Sequence, residues 1–538
     1  MDRKKFIRSL GATAAAFQLP NNLWSSSMDS TQPEIDKNDS AHSQFLIQEK
    51  NNTGRTQNSM LWATDENRWK TIRKNYPRTP GIVNLENGYF SHQSWKTINK
   101  HLDFEFDINV ETSRFMRTKQ QEEIEKARST FSKFMGVVPE TLAFTRNTTE
   151  SLNTVILGFP WQSGDEVIIG DQDYGSMTEA FEQAAQRHGI VVKKVHVPQH
   201  FHIMRGFDNE FDDMGVYITS VVKSYTELIS NKTKMVHITD LINLTGQVIP
   251  TDAIAKEIKK IDAAIMVVVD AAHSLAHTLG PDGYGIHTLM DAGVDAMGGS
   301  LHKWFCNPIG VGFLILKPEW IERIWPLMGD TGVARNNIRK FEHQGTRPIQ
   351  SLQTIAFASQ QHQLIGSEPK LRRLQYLKLS WMGLPMSELE ESIFGKREVS
   401  KKYSNLADLR TLADSDGKPK IQIYGLPNII QNEKNGTSPN TMRGIPDNPS
   451  TKQNHTIQGV KTASNLPRNT YYYQGAIATV SVVGYTPTEL AKVLLDKFGI
   501  FTVAIDHPQV KGVRITPHLS STFEDCYLLN QALVSLTK

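Results

Sequence analysis

Ile265-Met266-Val267-Val268-Val269-Asp270-Ala271-Ala272-His273 and, further on, Ser300-Leu301-His302-Lys303-Trp304 decide how this chain reads. The first segment is an apolar run, rich in β-branched residues, that stops on an acid. The second sets a lysine 33 residues beyond that acid, just after Gly298-Gly299. Gly310-Val311-Gly312-Phe313-Leu314-Ile315-Leu316 then resumes an apolar strand. Continuous apolar runs bounded by small residues predict strands buried on both faces. Taken singly, the acid reads as a helix cap and the lysine as a solvated charge. Taken together, they put a carboxylate at the end of a buried strand and an amine in a small-residue turn beside a histidine.

Outward from this segment, strands are predicted at 142–145, 166–169, 190–195, 235–238, 265–269, 294–297 and 311–316. Helical patterns lie between them, over 151–155, 177–188 and 251–260, and a further helix is expected over 120–134. Such alternation implies an α/β fold: a large domain with a mostly parallel sheet covered on both faces by helices. Ligands of such sheets bind beyond the C-terminal strand ends. Thr148, Tyr174, Asn243, Asp270 and Lys303 all fall at or just after those ends. Pro198 to Val221 interrupts the alternation and reads as an inserted loop.

Beyond Pro318 the pattern changes. Helices are expected over 352–366 and 369–382. Strands follow at 475–483, 500–504 and 512–517, with helices at 486–498 and 522–536, which makes a small α+β C-terminal domain. The polar stretch 431–467 reads as a surface loop or disordered insert. The expected division is 1–27 as a signal segment, 28–60 as a polar linker, 61–335 as the large domain with an N-terminal arm, and 336–538 as the small domain.

Composition narrows the class. The chain has 538 residues and a net charge of +3, with no basic stretch interleaved with aromatics, so a nucleic-acid partner is not expected. No apolar run reaches about 18 residues, so no integral membrane segment is expected. The two cysteines, Cys306 and Cys526, exclude a disulfide framework and a cysteine-based metal site; no metal is expected. The start, Arg3-Lys4-Lys5-Phe6-Ile7-Arg8 followed by an apolar, alanine-rich stretch, is similar to a twin-arginine export signal with lysine as its second basic residue. The expectation is a periplasmic or exported protein. A frayed amphipathic start and a cytoplasmic location are the alternative.

The residues suit pyridoxal 5'-phosphate, whose ring nitrogen needs a carboxylate and whose aldehyde needs an amine. Asp270 would keep the ring nitrogen protonated. Lys303, deprotonated in an apolar pocket, would carry the aldehyde and later act as general base at the substrate Cα. Thr148 and Thr149 open a helix after a predicted strand, where hydroxyls either cap the helix or hold a phosphate. His273 and Asn243 are candidates for the phenolic oxygen. Tyr174 either stacks on a flat ring or packs on the core. Asn87, in Asn84-Leu85-Glu86-Asn87-Gly88-Tyr89, belongs to a plain turn or faces the substrate.

Together the motifs Asn147-Thr148-Thr149-Glu150, Asp173-Tyr174-Gly175, Asn243-Leu244-Thr245-Gly246-Gln247, Asp270-Ala271-Ala272-His273, Ser300-Leu301-His302-Lys303, Gly345-Thr346-Arg347 and Arg514-Ile515-Thr516-Pro517-His518 resemble a known family. It is the class-V aminotransferases of the fold-type-I pyridoxal-phosphate enzymes, in the isopenicillin N epimerase-like branch. The resemblance runs from about Val83 to Leu536, less the two inserts. It implies Lys303 as the Schiff-base lysine, Asp270 as the partner of the ring nitrogen, and His273 as the partner of the phenolate. It implies Thr148, Thr149, Ser300 and His302 as phosphate ligands, and Arg514 as the clamp on the substrate α-carboxylate, where the plain alternative is a surface ion pair. Thr346 resembles the residue that reaches the phosphate of a neighbouring subunit, which implies a homodimer.

The implied activity is amino-group transfer, racemisation or epimerisation on an amino-acid-like small molecule. Elimination or hydrolysis within the same family, or a binding or sensing protein that has lost turnover, are the alternatives. Cysteine desulfurases of this class carry a mobile cysteine well downstream of the lysine. No cysteine stands between Cys306 and Cys526, which disfavours that chemistry.

Overall fold

The computed structural model describes residues 62–197, 210–281, 284–384, 396–424 and 475–538, all within one compact unit, Gly54–Lys538. The expected signal segment, the polar linker up to residue 60 and the 431–467 insert lie outside the described residues, as does 198–209 of the expected inserted loop.

The first strand, β1 (Val83–Asn84), is short. The main sheet uses β2 (Leu142–Thr145), β3 (Glu166–Gly170), β4 (Val191–Val195), β5 (Thr233–Thr239), β6 (Met266–Asp270), β7 (Ala296–Ser300) and β8 (Gly312–Leu316). Their order is β2-β8-β7-β6-β5-β3-β4. The pairs from β7 through β6, β5 and β3 to β4 are parallel, while β7–β8 and β2–β8 are antiparallel.

The continuous apolar runs have the cause expected of them. In β6, Val267 and Val269 enter one core with Val236, Ile238 and Trp304, whereas Met266 and Val268 enter the other with Val167, Ile169 and Met235. Successive side chains of a strand point to opposite faces, so a strand covered on both sides has no polar position to spare. Gln120–Met135, Glu210–Thr226 and Thr251–Ile261 supply helices to the first core; Thr148–Gly158 and Gly175–His188 supply the second.

The chain runs outward from β3 to β4, then returns to place β5 on the other side of β3. That reversal opens a crevice at the C-terminal strand ends. Asp173 and Tyr174 follow β3 there, Asn243 follows β5, Asp270 ends β6 and Ser300 ends β7.

A second sheet joins β9 (Ile421–Ile423), β10 (Ala478–Val482), β12 (Val503–His507) and β13 (Val510–Ile515) in the antiparallel order β12-β13-β10-β9. Helices Ser367–Met382, Pro487–Phe498 and Phe523–Ser535 share its core. The remaining strand, β11 (Ile500–Phe501), pairs in parallel with β1. Residues 84–92 are thereby tied to the end of β13, where Glu86 bridges to Thr516.

Four expectations are corrected. From Glu210 the expected inserted loop is a helix, Glu210–Thr226, whose Tyr217, Val221 and Tyr225 are buried at four-residue spacing. The helix expected over 352–366 is two, Gln350–Gln353 and Ile355–Ile365, broken at Thr354, whose hydroxyl donates to Asn307 Oδ1 and Ser351 O. The strand expected at 294–297 starts at Ala296 and runs to Ser300, so Ser300 belongs to the sheet and not to the turn after it. The strand expected at 500–504 is divided at Thr502 between β11 and β12, which pair with different partners.

Candidate active site

Lys303 lies on the excursion between β7 and β8, a pair whose register closes at Ser300 and Gly312. The excursion is held by backbone bonds from Leu301 N–H to Val311 O (3.0 Å) and from Asn307 N–H to Leu301 O (2.8 Å). Cys306 closes a tight turn by donating its N–H to Lys303 O at 2.9 Å, with a φ of 59°. A non-glycine residue in that region stores backbone strain, which persists only where its surroundings over-determine it.

Lys303 Nζ lies 3.1 Å from His273 Nε2, and the indole N–H of Trp304 reaches His273 Nδ1 at 3.2 Å. An indole nitrogen only donates, so Nδ1 must accept. The neutral imidazole then carries its proton on Nε2, which faces Nζ and donates to it once the amine is deprotonated. Burial, and the positive charges of Lys303 and Arg514, hold the His273 pKa well below its ordinary value, so the neutral ring is the stable form. Burial likewise lowers the Lys303 pKa to about 8; Asp270 opposes this shift and Arg514 adds to it.

In coenzyme-free protein, labelling of Lys303 by an amine-reactive reagent, followed by peptide mass, should be half-maximal near pH 8. An ordinary lysine reaches that point near about 10.4. The sign is fixed: the free amine is the reactive form, so labelling rises with pH.

Asp270 is buried at the end of β6, with Oδ1 accepting from Ala272 N–H at 2.8 Å. Burial raises its pKa; His237 and Lys303 pull it back. His237, on the neighbouring strand, donates from Nδ1 to Asp173 Oδ2 at 2.7 Å, and Thr239 donates to Asp173 Oδ1 at 2.7 Å. Burial disfavours charge on His237, yet Asp173 and Asp270 outweigh it and raise its pKa. The loop that carries Tyr174 is thus pinned to the strand beside Asp270.

Ser300 Oγ, at the end of β7, accepts from Thr148 N–H at 2.9 Å and lies 2.7 Å from Thr148 Oγ1. This joins the start of the helix Thr148–Gly158 to the strand that leads to Lys303. Gly312 makes the approach possible: a Cβ there would meet the Asn147 backbone at 2.6 to 2.8 Å. Gly312→Ala should push the helix start away and cost about 1–3 kcal/mol, read as a lowered denaturation midpoint. His302 is half-buried. Burial, and then Lys303, lower its pKa to about 4, and its buried Nδ1 has no hydrogen-bond partner among the described residues.

Asn87 is fully buried, its amide donating to Thr516 O at 2.9 Å and Asn84 O at 3.3 Å. Asn243 is half-buried, and its carbonyl accepts from Arg514 Nη1 at 3.4 Å. Arg514 is buried on β13 and paired edge-on with Glu86, Nη2 to Oε1 at 2.5 Å and Nε to Oε2 at 3.3 Å. Thr149, Tyr174 and Thr346 are exposed. The fold therefore gathers Lys303 with His273 and Trp304, Thr148 with Ser300, and Arg514 with Asn243.

Sequence reasoning gave no role to Glu86, His237 or Trp304. Trp304 follows Lys303 directly, and Glu86 stands inside the stretch Asn84-Leu85-Glu86-Asn87-Gly88-Tyr89. Their partners lie far off in the chain, which no local pattern reports.

The residues fit pyridoxal phosphate. They offer an amine whose pKa is lowered to about 8, a buried carboxylate on the adjoining strand, and hydroxyls with backbone N–H groups at the start of an eleven-residue helix. The orphaned Nδ1 of His302 lies one residue from the amine. Fold and site together define a fold-type-I architecture of the kind built around a lysine after a central sheet.

Residues 97–358 match the model of the class-V aminotransferase family. The isopenicillin N epimerase of Streptomyces clavuligerus is 22% identical over 475 residues, 87% of this chain and 98% of that one. A probable cysteine desulfurase of Synechocystis is 26% identical over 275 residues, 48% of this chain and 58% of its own. The solved structure of a C-DES mutant with glycine covalently linked to its PLP cofactor aligns with a TM-score of 0.60 at 16% identity, over 87% of this chain and 99% of that one.

Proposed function

We propose that this chain is a pyridoxal-phosphate enzyme that works at the Cα of an amino acid, as an aminotransferase or an epimerase. One observation carries the reading: an amine 3.1 Å from His273 Nε2, its pKa lowered by burial to about 8, beside a buried carboxylate. An isolated lysine gains nothing from such surroundings; one that must act as nucleophile and base does.

When bound, the coenzyme supplies an electron sink that makes the Cα proton labile. The chain's own groups do the rest. Asp270 would hold a proton on the ring nitrogen, through the low-dielectric strength of a buried charge. Thr148, Thr149, Ser300 and His302 would hold the phosphate, with the helix start facing it. His273 would shift its Nε2–H from the lysine to the phenolic oxygen. Tyr174, on the rim of the crevice, would cover the ring. Lys303 Nζ, once freed by the substrate amine, would take the proton from Cα. Arg514 would meet the substrate carboxylate, and Asn87 would hold the turn that faces it.

In the same reading the exposed Gly345-Thr346 turn serves the phosphate of a second copy in a homodimer, and the twin-arginine-like start exports the folded enzyme. Persulfide chemistry finds no support in the two thiols. Both are buried; burial pushes Cys306 up to about 12 and Cys526 well above its ordinary value.

The test is a panel of L- and D-amino acids given to holoprotein in deuterated water. A released 2-oxo acid marks amino-group transfer. Deuterium at Cα with loss of optical activity marks epimerisation, and a released side-chain fragment marks elimination. Holoprotein that does none of these with any member of the panel sinks the enzyme reading in favour of a binding protein.

A further inference from the structure

Arg514, the cation that would receive a substrate carboxylate, is already engaged by a carboxylate of its own chain. Glu86 holds its Nε and Nη2 edge in the two-point geometry that a guanidinium offers a substrate. Both side chains are nearly inaccessible, at 9% and 5% of their surface. The turn around Glu86 completes the enclosure. Tyr89 N–H donates to Glu86 Oε1 at 3.0 Å, and Thr516 Oγ1 lies 3.3 Å from Oε2. A Cβ on Gly88 would lie 3.2 Å from Arg514 Nη2, so the turn packs directly on the guanidinium. On the other side Nη1 reaches Asn243 O at 3.4 Å, a long bond that leaves this nitrogen the least committed of the three.

We propose that Glu86 is a specificity-determining positioning residue, which occupies the two-point edge of Arg514 and leaves an incoming carboxylate only the Nη1 side. The proposal rests on the reading of Arg514 as the carboxylate clamp, and it narrows the substrate class. A neutralised clamp binds a bare α-carboxylate weakly, because the pair's charges cancel at the site. The enzyme therefore favours amino acids whose remaining groups supply the affinity, and discriminates against small ones such as glycine and alanine. Glu86 acts through Arg514 and need not touch the reacting atoms.

The test is calorimetric titration of holoprotein with succinate and with its uncharged diamide, succinamide. Glu86→Gln keeps an oxygen for Tyr89 N–H but removes the competing charge. It should bind succinate at least about tenfold more tightly than wild type, with succinamide unchanged. Glu86→Ala, which empties the edge, is the second variant and gives the same direction if the glutamine variant does not fold. Arg514→Gln added to either variant should remove the gain.

A folded variant that binds succinate no better than wild type overturns the role of Glu86. Equal tightening for succinamide also overturns it, since a merely loosened turn would admit both probes alike. If wild type and variants all fail to bind succinate, Arg514 is no carboxylate site, and the clamp reading falls with the proposal. If all bind it equally and Arg514→Gln abolishes binding, only Glu86 loses its role.

Discussion

Lys303→Ala is expected to abolish turnover of any amino-acid substrate, by about 10^4-fold or more, while leaving a folded protein. Two roles meet on Nζ in the proposed reading, carrier of the coenzyme and base at Cα, so one truncation removes both. The fold has little reason to fail. Lys303 forms no ion pair among the described residues, and its amine is already pressed toward the neutral form by burial. The groups that shape the loop remain: Cys306 N–H on Lys303 O, Leu301 N–H on Val311 O, and the side chain of Asn307 between Ser351 and Thr354. What the variant leaves behind is a His273 Nε2–H without its acceptor, a cost of about 1–3 kcal/mol. Two measurements check this. Borohydride reduction of wild-type holoprotein should fix the coenzyme on the peptide that contains Lys303, and the variant should show no such adduct. Circular dichroism should show the same secondary structure in both. An adduct on another peptide moves the attachment point and sinks the assignment.

That lysine was legible in the sequence because its surroundings are local. The apolar runs of β6 and β8, the small residues of β7 and the acid closing β6 all lie within about fifty residues of one another, and strands buried on both faces cannot hide their composition. The helix Glu210–Thr226 was not legible. Its Val216, Ile218, Val221 and Val222 are β-branched and its Gly215 weakens a helix, so propensity argued against the buried spacing of Tyr217, Val221 and Tyr225. Tertiary packing won there. The direction of β8 was equally silent: an antiparallel return needs only a loop, and residues 301–311 look the same whichever way the strand comes back.

The site divides on the same line. Asp270, His273 and Lys303, as candidates, are legible from their position along the chain. Glu86 and Arg514 stand 428 residues apart, and β1, only two residues long, is what brings them together by pairing with β11. A two-residue parallel pairing leaves no periodicity to read.

Asp270→Asn should separate the demands of folding from those of chemistry. In coenzyme-free protein the carboxylate is buried, with the Ala272 N–H at Oδ1 and no ion pair among the described residues. Burial raises its pKa in the folded state. A carboxyl group of that kind contributes its full stability below the ordinary carboxylate value of about 4, and loses it as pH rises through the raised folded value. At neutral pH Asp270 is therefore a burden on the empty protein. Asparagine keeps an oxygen for Ala272 N–H and carries no charge. The coenzyme-free variant should be more stable than wild type near pH 7, by on the order of 1 kcal/mol, and the gap should close as pH falls toward about 4.

The coenzyme reverses the order. In the proposed reading its ring nitrogen would give the Asp270 charge a partner, so wild type should gain more stability on loading than the variant. Turnover in the variant should fall on the order of 10^3-fold, because an amide cannot keep that nitrogen protonated. Urea unfolding of both proteins, empty and loaded, at two pH values reads every part of this. A variant less stable than wild type when empty at pH 7 would mean that the carboxylate is already paired inside the fold. One that turns over at the wild-type rate would remove Asp270 from the chemistry.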